Sequence, residues 1–248
     1  MFELPVDGDT KNTRWVFWGG NSNYLIGKFD GTTFTKEAGP FRFEHGNNYY
    51  AAQSYSDIPK EDGRRIQIAW MQGGRYPNMP FNQQMSFPSV LTLRTLPEGV
   101  RMCREPVKEI EKIQNKRHSF KDLALQPGDG PLKELSGELF DIRLEFDPGN
   151  AADVALNLRG TPVVYDAKNK QVIFLGKSVK LEPIHGKVEL QVLVDRSSIE
   201  VFGPQGRFSM SSCFLPPPGD KKISLEAHGG TAQIRLLEVW ELKSAWPE

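Results

Sequence analysis

Along residues 140–202 apolar and polar side chains alternate. Phe140, Ile142, Leu144 and Phe146 are separated by Asp141, Arg143 and Glu145, and Val154, Leu156 and Leu158 alternate with Ala155 and Asn157. Successive side chains of a strand point to opposite faces, so the pattern predicts strands with one dry and one wet face. Leu190, Val192 and Val194 continue it, Asp195-Arg196-Ser197-Ser198 interrupts it, and Ile199, Val201 and Phe202 resume it. About eight such strands over the last ~130 residues predict an antiparallel β-sandwich.

The first half reads as shorter strands broken by turns. Strands are predicted over 15–18, 24–29, 32–34, 49–55, 65–71 and 89–96, with turns at Gly19-Gly20-Asn21, Asp62-Gly63 and Pro97-Glu98-Gly99. Asp30-Gly31 is a tight-hairpin signal, because a two-residue turn needs positive φ at its centre. Strand and turn recurring every 10 to 20 residues is all-β spacing. Only residues 105–114 carry apolar side chains at helical intervals, at Val107, Ile110 and Ile113, with Pro106 suited to a first turn. This predicts a short connecting helix. Polar residues then run through Lys121, which places a domain boundary near 115–119.

Composition agrees and removes whole classes of function. Gly 23 and Pro 18 make up about a sixth of 248 residues, which suits strands and turns better than helices. Lys+Arg and Asp+Glu are 31 each, so no positive excess favours nucleic acid or anionic lipid. No apolar run is long enough to span a membrane, and the first residues lack the basic and apolar stretches of an export signal. Cys103 and Cys213 stand far apart and read as buried or partly buried thiols.

The chemistry-bearing residues are dispersed. His45, His118, His185 and His228 fall in no zinc-ligand spacing and read as structural or surface residues, and no metal or cofactor is expected. GxSxG, Walker and GxGxxG motifs are missing, which removes the usual signatures of acyl transfer, nucleotide hydrolysis and dinucleotide redox chemistry. Asp195-Arg196-Ser197-Ser198 reads as a satisfied charged turn. The unusual stretch is Gly46-Asn47-Asn48-Tyr49-Tyr50-Ala51-Ala52-Gln53 followed by Ile68-Ala69-Trp70-Met71-Gln72-Gly73-Gly74. Amides and aromatic planes near glycine turns suit a sugar, whose hydroxyls need polar partners and whose apolar face needs a ring; filling a β core explains Tyr50 and Trp70 equally well.

At these residues the chain resembles glycoside hydrolase family 32, the invertases, inulinases and levanases that cleave β-fructofuranosides. Asn48 to Gln53 resembles the family's D-F-Y-A strand, and Arg64-Arg65-Ile66-Gln67-Ile68-Ala69-Trp70-Met71 its R-R-I-x-x-G-W strand. Met85 to Leu93 is similar to its P-R-E-L phrase, and Asp195 to Phe202 to the D-x-S-S-x-E-x-F phrase of its sandwich. The resemblance implies the last blades, about two, of a five-bladed β-propeller over 1–115, and a β-sandwich over 116–248. It also implies a cofactor-free retaining mechanism with an aspartate nucleophile and a glutamate acid/base.

The motifs W-M-N-D-P-N-G, R-D-P and E-C-P-D, which carry the family's nucleophile, stabilising aspartate and acid/base, do not occur in the sequence. Met1-Phe2-Glu3-Leu4-Pro5 resembles the text that follows E-C-P-D, so the expectation is a truncated member that is inactive alone. Asn48 stands where the family commonly has aspartate, and Ser89-Val90 stands where it has R-E. What carries over is Trp70 as a wall of the fructose pocket, with Tyr50 and Asn48 beside it. A fructose-containing saccharide is the implied partner, without nucleic acid or membrane, and exposed propeller edges imply self-association. A non-catalytic fructose-glycan-binding module is the alternative. Relocated carboxylates, Glu44 with Asp57, are the third. Bacterial members are often exported, which leaves the localisation of this chain open.

Overall fold

The computed structural model describes residues 1–77 and 79–245. Its first half holds β1 (Phe2–Val6), β2 (Asp9–Trp18), β3 (Asn23–Phe29), β4 (Phe34–Arg42), β5 (Tyr50–Ser54), β6 (Arg65–Trp70), β7 (Ser89–Leu96) and β8 (Gly99–Pro106). They form two four-stranded antiparallel meanders, β1 to β4 and β5 to β8, which meet through one parallel pairing of Val6 with Leu93. Phe2, Leu4, Val16, Tyr24 and Ile26 of the first share a core with Ala52, Ala69, Leu91, Leu93 and Met102 of the second.

Eleven strands follow: β9 (Gln114–Leu125), β10 (Phe140–Asp147), β11 (Asp153–Leu158), β12 (Thr161–Asp166), β13 (Gln171–Phe174), β14 (Lys177–Lys180), β15 (Val188–Val194), β16 (Ser198–Phe202), β17 (Ser209–Cys213), β18 (Ile223–His228) and β19 (Ala232–Leu242). They build a six-stranded sheet, β17-β16-β15-β10-β19-β9, and a five-stranded sheet, β14-β13-β12-β11-β18. The alternating apolar residues meet between them, with Phe140, Phe146, Tyr165 and Phe174 fully buried. The five-stranded sheet ends on β14, whose Lys177 and Lys180 are exposed and discourage further strand pairing.

The structure departs from the expected elements in several places, and adds β1, most of β4 and β8 to the strands expected in the first half. The connector is a single 3-10 stretch, Lys108–Ile113, that buries only Ile110 among its own residues. The polar run at the expected boundary is itself a strand, β9, which pairs with β19 along its length; as an edge strand, it needs few apolar residues. Asp30-Gly31 lies in a hairpin as expected, but the loop is wider, with Asp30 N–H donating to Thr33 O and Asp30 Oδ1 accepting from the N–H groups of Thr32 and Thr33.

The two halves are stitched edge to edge. Strand β17 would expose a free edge, but residues 43–48 run beside it, with Glu44 in a parallel bridge to Ser209. His45 N–H donates to Ser209 O (2.8 Å), Ser209 N–H to Phe43 O (3.0 Å) and Asn48 N–H to Ser211 O (3.0 Å). Gly46 permits this approach, since a Cβ there would lie 2.2 Å from Ser211 O.

Candidate functional site

Two groups of side chains stand out, one open to solvent and one sealed between the halves. The open one begins at a bulge in β5, where Ala51 takes φ 47° and donates its N–H to Gly20 O (3.0 Å). The bulge leaves Tyr50 43% exposed, opposite Trp70 on β6. The two rings meet edge to face at 6.2 Å. Trp70 Nε1–H donates to Gln83 Oε1, and the Gly20 turn sits against the Tyr50 ring, where a Cβ would come within 3.5 Å of it. Neither Tyr50 nor Trp70 fills the core; the neighbouring Tyr49 does.

Asn48 belongs to the same stretch, and its amide is taken up by the backbone. Its Oδ1 accepts the Cys213 N–H (2.8 Å) and its Nδ2 donates to Gln72 O (2.6 Å), so the amide ties the β5 approach to the sandwich. The structure thus brings Tyr50 and Trp70 together and commits both ends of the Asn48 amide to backbone partners.

The sealed group centres on Arg104 of β8, which is fully buried with its guanidinium 4.5 Å from the Tyr49 ring centroid and 5.1 Å from that of Phe202. Its Nη1 donates to Glu44 Oε2 (3.1 Å) and Ser209 Oγ (2.8 Å), and its Nη2 to Glu200 Oε2 (3.2 Å). Glu44 Oε1 accepts the N–H groups of Gly46 and Ser211, both at 2.7 Å. Glu200 Oε1 accepts the Phe87 N–H (2.5 Å). One cation thus faces two carboxylates away from water. Burial pushes the Glu200 carboxyl above its ordinary range, against the opposing pull of Arg104 and the bonds from Phe87 and Ser211, with the charge of Glu44 adding to the push. The Ser211 hydroxyl lies 3.0 Å from Glu44 Oε2 and 2.8 Å from Glu200 Oε2, and its one proton serves only one of them.

The sequence hinted at only part of this cluster. Glu200 lies in the D-x-S-S-x-E-x-F phrase, but Arg104, Ser209 and Ser211 passed unremarked; the available signal was an arginine in the inward register of β8, two residues from the buried Met102. Glu44 is 1% exposed and occupied by five donors, whereas Asp57 is an exposed residue with φ 55°. The Asp195 turn is satisfied, with Asp195 N–H donating to Ser198 O and Arg159 Nη1 donating to the carbonyls of Asp195 and Arg196.

The sequence model described as Glycosyl hydrolases family 32 C terminal matches residues 107–241, and the Glycosyl hydrolases family 32 N-terminal domain model matches 11–106. The chain belongs to glycosyl hydrolase family 32. Levanase from Bacillus subtilis is 34% identical over 99% of this chain and 42% of its own length, and an extracellular exo-inulinase from Aspergillus awamori is 27% identical over 99% and 54%. The family 32 chain described here thus spans about half the length of these relatives, or less. The crystal structure of the A. awamori exo-inulinase superposes with a TM-score of 0.82 at 26% identity, covering 99% of this chain and 56% of that one. A fructofuranosidase from Schwanniomyces occidentalis, solved with fructosylnystose, shares the fold at a TM-score of 0.81 and 18% identity, over 98% of this chain and 59% of that one. The two meanders are therefore blades of a partial family 32 β-propeller, followed by the family's β-sandwich.

Proposed function

We propose that this chain is the C-terminal portion of a β-fructofuranoside hydrolase and that alone it releases no fructose. In this reading residues 1–115 are the last propeller blades and 116–248 the sandwich. The observation that carries it is the lack of the three carboxylate motifs from the sequence, with the two best-buried glutamates, Glu44 and Glu200, committed to Arg104. Retaining hydrolysis needs two carboxyl groups about 5–5.5 Å apart around the scissile bond, one ionised and one protonated. Glu44 and Glu200 are sealed off from any sugar and held by Arg104.

The same blades supply the aromatic part of a fructoside site. Trp70 is its wall, Tyr50 stands edge-on beside it, and Asn48 holds the approach to β5 in place. No cofactor is required, and the saccharide is a sucrose, inulin or levan chain. The test is fructose release from all three by the purified chain. None is expected; release that survives purification and disappears in Glu44→Gln or Asp57→Asn overturns the reading.

A second reading, a non-catalytic fructose-glycan-binding module, is favoured by the exposure of Tyr50 beside the half-buried Trp70. Isothermal titration with levan, inulin and sucrose separates the two: heat that disappears in Trp70→Ala supports binding without turnover, and silence for all three removes it.

A further inference from the structure

The Trp70 indole is hydrogen-bonded by Gln83, and Gln83 belongs to a strip of chain that the sandwich grips. Residues 84–86 pair with the end of β6: Met71 N–H donates to Gln84 O (3.0 Å), Ser86 N–H donates to Ala69 O (2.8 Å), and Met85 bridges to Trp70. Side chains alternate along the strip, with Gln83 and Met85 exposed, Gln84 half-buried and Ser86 buried. Gln83 Oε1 accepts the Trp70 Nε1–H, while the next side chain, Gln84, is taken by the sandwich.

Two sandwich residues do the gripping. Ser197, 3% exposed in the turn after β15, donates its hydroxyl to Gln84 Oε1 (2.8 Å), and Gln84 Nε2 donates to Met71 Sδ (3.2 Å). Cys213, the last residue of β17, accepts the Tyr76 hydroxyl on its Sγ (2.8 Å), and the same sulfur lies 3.8 Å from Met71 O and 3.9 Å from Gln84 Nε2. Tyr76 is buried, and its ring meets that of Phe81, two residues before Gln83, at 5.2 Å. Gly74 lets Tyr76 fold back this far, since a Cβ there would lie 2.5 Å from the Tyr76 hydroxyl. Burial pushes both the Tyr76 phenol and the Cys213 thiol above their ordinary ranges, so at neutral pH the phenol keeps its proton and donates it to a neutral sulfur.

We propose that Ser197 and Cys213 are positioning residues for the Trp70 wall. The sandwich fixes Gln84 and Tyr76, these fix the backbone that carries Gln83, and Gln83 sets the tilt of the indole. An exposed glutamine loses rotamer freedom when it holds one partner, so its bond persists only where the backbone beneath it is already fixed. The Asp195-to-Ser198 turn, satisfied within itself, thereby acts on the blades as well. That the wall faces a fructoside rests on the reading given above; the coupling from sandwich to indole does not.

Fluorine NMR of the full chain labelled with fluorotryptophan tests the coupling, with the Trp70 resonance assigned by its loss in Trp70→Phe and far-UV circular dichroism confirming that each variant is folded. Gln83→Leu is expected to shift the Trp70 resonance. Folded Ser197→Ala and folded Cys213→Ala are each expected to shift or broaden the same resonance while those of Trp15 and Trp240 stay in place. Cys213→Ser, whose hydroxyl still accepts from Tyr76, is expected to restore it. A Trp70 resonance unmoved in either alanine variant overturns the proposal, and so does one unmoved in Gln83→Leu, because the indole is then not held by that amide. Movement of all the resonances together, or no recovery in Cys213→Ser, means a merely structural role and overturns it as well. Should the alanine variants misfold, Gln84→Met, which keeps the shape of the side chain and removes the bond from Ser197, repeats the test. No sugar is added, so a chain that neither cleaves nor binds fructosides still gives the expected shifts, and the two readings fail separately.

Discussion

The sandwich and the blades are both antiparallel β structure, yet one closes its core and the other leaves faces open. Both sheets of the sandwich turn their apolar faces inward, and its large core includes Phe140, Ile142, Val154, Leu156, Val192 and Ile234. The two blades share a smaller core on one side of each and present Phe17, Tyr50 and Tyr55 to solvent. A sandwich is complete with two sheets, whereas a blade buries both faces only when another blade lies on each side. Identical local physics therefore gives a self-sufficient unit in one half and an unfinished one in the other, and Arg104 with its two glutamates ties them together.

The largest expected effect comes from cutting that tie. Arg104→Met leaves Glu44 and Glu200 buried without their cation and should destabilise the docked chain by about 3–5 kcal/mol. Urea unfolding followed by tryptophan fluorescence should then split, the tryptophans of β2 and β6 reporting blades that melt before the sandwich. A single unsplit transition would mean that the halves are held by something else.

Next comes the core of the complete half. Leu156→Ala removes a side chain sealed between the two sheets and should lose about 2–5 kcal/mol in the same assay. Phe17→Ser, on the open face, should change monomer stability by less than about 0.5 kcal/mol, as substitutions of exposed residues do. Equal losses at the two positions would contradict the contrast between closed and open cores.

A smaller effect is expected from pH. The folded Glu200 carboxyl titrates above its unfolded value, so the folded state holds the proton more tightly. Its contribution is fully present below the ordinary glutamate range and is lost as pH rises through the raised value. Other carboxylates work in the opposite sense. Asp62, held down chiefly by its bond from Arg64, and Asp166, by its bonds from Asn169, add stability above the ordinary aspartate range and lose it as pH falls. The Glu200 contribution is thus read as the difference between the unmodified chain and Glu200→Gln, followed by thermal unfolding from acid to neutral pH. The difference should shift in favour of the variant as pH rises, and a flat difference would remove the buried proton from the account.

The smallest effect is at the surface of the sandwich. His228 is held in its protonated form mainly by Asp153, whose carboxylate lies 2.6 Å from Nδ1, so the pair stabilises below the ordinary histidine range and fades as pH rises through the raised value. The ring is about half exposed, and solvent screening leaves His228→Gln with a loss of about 0.5 kcal/mol or less at pH 5 and none at pH 8.

How much of this was legible in the sequence follows from the same contrast. The strands over 140–146, 154–158 and 190–194 were readable because one face of each is buried and the other wet, and the register follows from that alternation. β9 was not read as a strand because edge position removes the need for apolar residues, and β4 and β8 were missed or shortened because proline, glycine and charge break their alternation; β1 was passed over although Phe2, Leu4 and Val6 alternate with Glu3 and Pro5. Of the candidate site, the Tyr50–Trp70 pair was legible from the family resemblance. The Arg104 cluster was not, since it joins positions 44, 104, 200 and 211, which nothing in a single sequence brings together.

Native-state hydrogen exchange tests the central contrast most directly. Amides of β10, β15 and β19 should exchange only through global unfolding of the sandwich, while those of β2 to β4 exchange faster through local opening of the first blade. Equal protection across both sets would contradict the account, because it would mean that the blades are as complete as the sandwich.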